Sequence, residues 1–134
     1  MELISTNLGL VKKAYQSFIE GNIQGVIDGL HDDAVYQFNG PSVVPMAGNF
    51  EGKQGILHFF QIIKETLDLF LFDPQEFIDA GDKVVIIGRE GGRAKKTGKS
   101  YEGPFVHVAD VEDGKIKRLR LYPDTAGGAY IFSE

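Results

Sequence analysis

The sequence predicts an α+β fold, with about three helices in the N-terminal half packed on a curved sheet of four to six strands wrapped around a pocket. Three observations carry that expectation. Apolar residues recur at helical spacing in the first half of the chain, and from Leu69 onward the texture becomes that of strands. Val84, Val85, Ile86 and Ile87 form a run that is apolar on both faces, and such a strand needs cover on both. Three helices of this length cover one face of such a sheet. The second face must close over a cavity, meet another subunit, or do both.

The elements follow in order. Ser5, Thr6 and Asn7 offer N-caps for a first helix, whose stripe is Leu8, Val11, Tyr15, Phe18 and Ile19. Gly21 ends it, and Asn22 can cap a short second helix carrying Ile23, Val26, Ile27 and Leu30. In HDDAVYQFNG, Tyr36 and Phe38 alternate with Val35 and Gln37 as in a strand. Gly40, Pro41, Pro45 and Gly48 punctuate residues 39–50, which read as a loop able to move. Ile56, Phe59, Phe60, Ile63 and Leu67 are the apolar stripe of the longest helix, residues 53–68. A long strand then runs to Asp79, Ala80-Gly81 turns the chain, and DKVVIIGREGGR forms the next strand. His58 lies off the helical stripe and reads as exposed; His31, before two aspartates, reads as solvated.

Bulk properties exclude several classes of function. At 134 residues the chain is a single domain, 1–134, large enough for a substantial core. The sequence offers neither an apolar run of membrane-spanning length nor a basic-then-apolar leader, so a cytoplasmic location away from membranes is expected. Zero cysteines remove disulfides, thiolate metal sites and cysteine nucleophiles. The three histidines, at positions 31, 58 and 107, have no close ligand spacing, so no metal site and no cofactor is expected. The net charge of −5 conceals an asymmetry, with 4 basic against 11 acidic residues in 1–80 and 10 against 8 in 81–134. The basic residues around 94–99 read as a solvated hairpin tip, and an acidic chain is not expected to bind nucleic acid.

Residues 105–124, FVHVADVEDGKIKRLRLYPD, are the most informative stretch. Asp113-Gly114 is a strong type I′ turn signal and sets Glu112 opposite Lys115. Carried up an uninterrupted ladder, that register puts His107 opposite Arg120. Val106, Val108, Leu119 and Leu121 then share one face, a core side. Phe105, His107, Arg118, Arg120, Tyr122 and Asp124 share the other. A face of that composition can line a pocket, or it can be a solvated or subunit-facing sheet surface. About 13 Å of extended strand separates Arg120 from Asp124, so His107 and Asp124 form no simple dyad without a bend at Pro123.

The order of AYQSFIEGNIQGVIDGLHDDAVYQF, MAGNFEGKQGILHFFQ, DAGDKVVIIGRE and PFVHVADVEDGKIKRLRLYPD resembles the nuclear transport factor 2-like superfamily, in particular its SnoaL-like polyketide cyclase and ketosteroid isomerase-related branch. The resemblance covers nearly the whole chain and implies an α+β cone with a highly curved antiparallel or mixed sheet. It also implies a homodimer. Tyr15 stands where ketosteroid isomerases keep the tyrosine that donates to the developing enolate oxygen, whereas the position of their catalytic base is Phe38. Steroid isomerisation of that type is therefore not expected. The isomerases' second aspartate falls at His107 or at Val106, depending on the hairpin length, and the polar face favours His107. SnoaL-like cyclases use a histidine and a late aspartate that match His107 and Asp124, as an acid–base pair acting without a metal.

The resemblance thus implies His107, Asp124 and Tyr15 as catalytic candidates. Tyr36, Phe38, Phe60, Phe105, Arg120 and Tyr122 are candidates for contact with an apolar small-molecule ligand or substrate. Two functions stand side by side: a cofactor-independent cyclase or isomerase acting on an apolar carbonyl compound, and a non-catalytic ligand-binding or dimerisation module. The missing carboxylate at Phe38 favours the second; Tyr15, His107 and Asp124 favour the first.

Overall fold

A computed structural model describes residues 6–134, so the N-cap expected at Ser5 lies outside the described residues. Helix α1 (Thr6–Ile19) stops before Gly21, which takes a φ of 77°. Asn22 caps α2 (Ile23–Asp28), its side-chain oxygen accepting from the Gly25 amide at 3.0 Å. Strand β1 (Leu30–Phe38) follows, then β2 (Gly48–Glu51) and helix α3 (Gly52–Thr66). The stretch read as all loop therefore ends in a short edge strand. Three long strands succeed, β3 (Leu67–Asp79), β4 (Lys83–Ala94) and β5 (Ser100–Glu112), followed by β6 (Lys115–Tyr122). A fourth helix, α4 (Thr125–Phe132), was not expected.

The strands form one mixed, six-stranded sheet in the order β2-β1-β6-β5-β4-β3, parallel only between β1 and β6. It curves without closing. The core lies on the inner face, where α1 packs on β3, β4 and β6 and α3 on β1, β2 and β3. Bulges in β3, at Leu69/Leu71 and Pro74/Glu76, bend the edge around the helices. Opposite the second bulge, a Cβ on Gly88 would stand 2.3 Å from the Asp73 carbonyl and 2.8 Å from Phe105 Cζ. Only glycine lets β3 and the Phe105 ring come so close.

The hairpin register needs correcting. The Asp113-Gly114 turn forms with φ of 54° and 72°, and Glu112 pairs with Lys115 and Val111 with Ile116 as expected. The next pair is Asp110 with Arg118, which leaves Lys117 as an extra, bulged residue. One extra residue reverses every later side chain on β6. Leu119 and Leu121 therefore turn inward with Phe105 and His107, while Arg118, Arg120 and Tyr122 turn outward with Val106 and Val108. Among the described residues no helix is long and apolar enough to cross a membrane.

Candidate active site

His107 sits in the middle of β5 on the buried parity of that strand, with Phe105 before it and Ala109 after. It pairs with Leu121, not Arg120, and is only 4% exposed. The α1 stripe of Val11, Ala14 and Tyr15 is buried against the sheet, which carries the Tyr15 hydroxyl to within 2.6 Å of His107 Nδ1. Aromatic rings hold the pair in place: Phe105 lies 4.3 Å from the imidazole, centroid to centroid, and stacks on Phe72 at 5.1 Å. Burial lowers the His107 pKa to about 3, so the ring is neutral at physiological pH. Burial, with the neighbouring Tyr36 and Glu90, raises the Tyr15 phenol well above its usual range and keeps it protonated.

A second polar group stands on the same wall. Glu90 of β4 pairs with Gly103 of β5, and Tyr101, two residues before Gly103, donates its hydroxyl to Glu90 Oε2 at 3.3 Å. Burial raises the Glu90 carboxyl to about 7, against the lowering effect of the Tyr101 hydrogen bond. Asp124 closes over the bare backbone of Gly103, where a Cβ would stand 2.8 Å from its Oδ2. Its other oxygen accepts from the Gly127 amide at 3.0 Å and caps α4. Helix α4 is tied to the β4–β5 hairpin, where the Thr97 hydroxyl donates to the Ile131 carbonyl and the Lys99 ammonium to that of Ser133.

These elements enclose a cavity of about 110 Å³, comparable with apolar cavities of about 150 Å³ that accept benzene. Tyr15, Tyr36, Phe38, Phe60, His107 and Asp124 all line it. Phe105 stands behind His107 as support. Arg120 and Tyr122 do not reach it: the Lys117 bulge puts both on the outer face, where Arg120 meets Asp110 at 3.2 Å and Tyr122 is 44% exposed. His107 and Asp124 share the cavity, but the histidine's partner is Tyr15 and the aspartate's is the start of α4.

Glu90 and Tyr101, absent from the sequence-based set, line it as well. The signal was present in the period of two. Counting from Val84 and Ile86 puts Glu90 on their buried face, and counting back from His107 and Phe105 does the same for Tyr101.

Among the described residues the sealed side-chain nitrogen or oxygen without a hydrogen bond is Arg120 Nε alone. His107 Nε2 and the Tyr36 hydroxyl have no hydrogen-bond partner among the described residues and are not sealed, and both residues line the cavity. If Tyr15 donates to Nδ1, then Nε2 carries a hydrogen and is the donor to the cavity. If Nδ1 donates to Tyr15, the phenol hydrogen is free and Nε2 accepts. Either tautomer leaves one donor for a ligand oxygen in apolar surroundings, where such a bond is strong.

A family model described as the SnoaL-like domain matches residues 11–119. No curated protein matches the chain. A nuclear transport factor 2-like protein from Burkholderia thailandensis superposes with a TM-score of 0.89 at 25% identity, covering 98% of this chain and 100% of that one. TerC, co-crystallised with polyporic acid, superposes with a TM-score of 0.80 at 24% identity over 97% of this chain and 100% of its own. A candidate SnoaL-like polyketide cyclase from Mesorhizobium loti gives 0.71 at 20% identity over 85% of this chain and 96% of its own. The last two likenesses are of fold alone. With the family model spanning most of its length, the chain belongs to the SnoaL-like domain family and carries the nuclear transport factor 2-like fold.

Proposed function

We propose that the cavity binds an apolar small molecule through a carbonyl oxygen and that the protein acts on it by cofactor-independent acid–base chemistry of the cyclase or isomerase type. The observation that carries this reading is the Tyr15–His107 pair, 2.6 Å apart and open to an apolar cavity. Both members are held neutral by burial, so the donor they offer stabilises negative charge developing on a carbonyl oxygen without first losing a charge of its own. Tyr36 supplies a second hydroxyl to the same space.

The test begins with organic extraction and native mass spectrometry of the purified protein to identify what fills the cavity. Binding of that compound is then compared in wild type, Tyr15→Phe and His107→Ala. Loss of a donor to a buried carbonyl costs roughly 1–3 kcal/mol, or about a tenfold to hundredfold weakening. Unchanged affinity in both folded variants would remove the pair from the site. A binding-only module is the second reading, favoured by Phe38 lining the cavity where a ketosteroid isomerase carries its base. It is the outcome if the variants lose affinity but the wild type turns nothing over.

A further inference from the structure

We infer that Glu90 is the proton-transferring group of this cavity, supplying from β4 the carboxylate that Phe38 does not supply from β1. The inference rests on reading the cavity as a carbonyl site. Its basis is position. Glu90 projects from the buried face of β4 into the wall that also carries His107, and its direct neighbour on β5 is Gly103, which covers none of it. One oxygen is fixed by the Tyr101 hydroxyl. No cation is paired with this carboxylate among the described residues; the ion pairs of Lys83, Arg93, Arg118 and Arg120 go to Asp68 and Asp110 instead. A half-buried carboxyl with a single phenolic partner is costly to keep, and such an arrangement marks functional sites.

The other candidates fit the role less well. Asp124 is committed to capping α4. His107, held neutral down to about pH 3, is too weak a base near neutrality. Glu90, near 7, holds its proton loosely at working pH. The titratable groups around it are Tyr101 and His107 of β5, Tyr15 of α1, Tyr36 of β1 and Asp124 beside Gly103, which is the other carboxyl of this set.

The chemistry is a balanced proton transfer. The Glu90 carboxylate takes a proton from the carbon next to the carbonyl. The C–H electron pair becomes the C=C bond of the enolate, and the carbonyl π pair moves onto oxygen, facing the donor of the Tyr15–His107 pair. The carboxylic acid then returns a proton to carbon, and nothing is oxidised or reduced. The ligand class is an apolar ketone with an acidic C–H turned toward β4.

The experiment follows exchange of the benzylic protons of β-tetralone in D₂O by NMR, with binding measured on the same samples by saturation transfer. Wild type should speed exchange above buffer, the rate rising with pH through about 7. Glu90→Gln, nearly isosteric, should still bind β-tetralone but lose the acceleration by roughly a hundredfold or more. Full exchange in Glu90→Gln would overturn the role of Glu90 while leaving the carbonyl reading intact. Binding without exchange in wild type would overturn Glu90 and reduce the cavity to a binding module. Absence of binding in wild type would overturn the carbonyl reading and the inference with it. A carboxyl resonance of ¹³C-labelled wild type that titrates near neutrality and is missing from Glu90→Gln provides a check independent of the ligand; an ordinary carboxylate titration there would count against the assignment.

Discussion

Two ionisable side chains on one wall of the cavity have been driven in opposite directions by the same cause. Burial lowers His107 to about 3 and raises Glu90 to about 7, so each resists its charged form. The consequences for stability have opposite signs. Unfolded His107 gains a proton below about 6.5 while folded His107 does not, so stability falls as pH drops from there toward 3. Unfolded Glu90 loses its proton above about 4.5 while the folded carboxyl keeps it, so stability falls as pH rises toward 7. The second shift corresponds to roughly 3 kcal/mol, reduced by whatever solvent the cavity admits. Glu90→Gln should therefore be more stable than wild type at pH 8 by about 1–3 kcal/mol and nearly equal to it at pH 5, as read by urea titration. His107→Gln should flatten the loss of stability below pH 6. An unchanged acid limb in that variant would show that His107 titrates normally.

At the scale of elements, the decisive feature is one bulged residue. KIKRLRL offers two basic residues between Ile116 and Leu119, and three apolar residues can face inward only if the strand skips a place there. That signal was legible, but Val106 and Val108 on the partner strand supply an equally apolar alternate face and hid it. The consequence reaches both strands: Arg118, Arg120 and Tyr122 lie outward, and so do Val106 and Val108, which the simple register sets on the core side, while His107 keeps its place in the site. Helix α4 was illegible for another reason, since TAGGAYIF contains two poor helix formers and no clear amphipathic stripe. Its cap, Asp124, was seen only as an acid. The positions that bend the sheet can be tested directly. Gly88→Ala would drive a methyl into the Asp73 carbonyl and Phe105, neither of which can yield without moving β3 or the ring behind His107. A loss of roughly 1–3 kcal/mol in chemical denaturation is expected. A change below about 0.5 kcal/mol would mean that the strands are not so closely apposed.

The whole molecule has an unsymmetrical sheet. Its inner face carries the helices and the cavity, while its outer face is paved by rows of side chains set by the register. Ile78, Val85, Val108 and Arg120 form one row, and Glu76, Ile87, Val106 and Tyr122 form the next. Ile78 is 45% and Tyr122 44% exposed, and Phe70, lying across Gly91 on the same face, is 54% exposed. An exposed apolar surface of this kind marks an interface. Beside it, Asp110 binds Lys83, Arg118 and Arg120, one carboxylate against three cations, so this border of the patch keeps a net positive charge. We propose a second copy of the chain as the partner for this face, because a face related to itself by a two-fold axis sets apolar rows against apolar rows. Light scattering at micromolar concentration should therefore give about twice the chain mass of 14.8 kDa. Val106→Asp with Val108→Asp puts two carboxylates in the middle of the rows, on the face of β5 opposite the cavity. The double variant should remain folded, keep ligand affinity, and run as a monomer. A wild type that is monomeric at that concentration, or a double variant that still dimerises, would show that the outer face is not the surface of association.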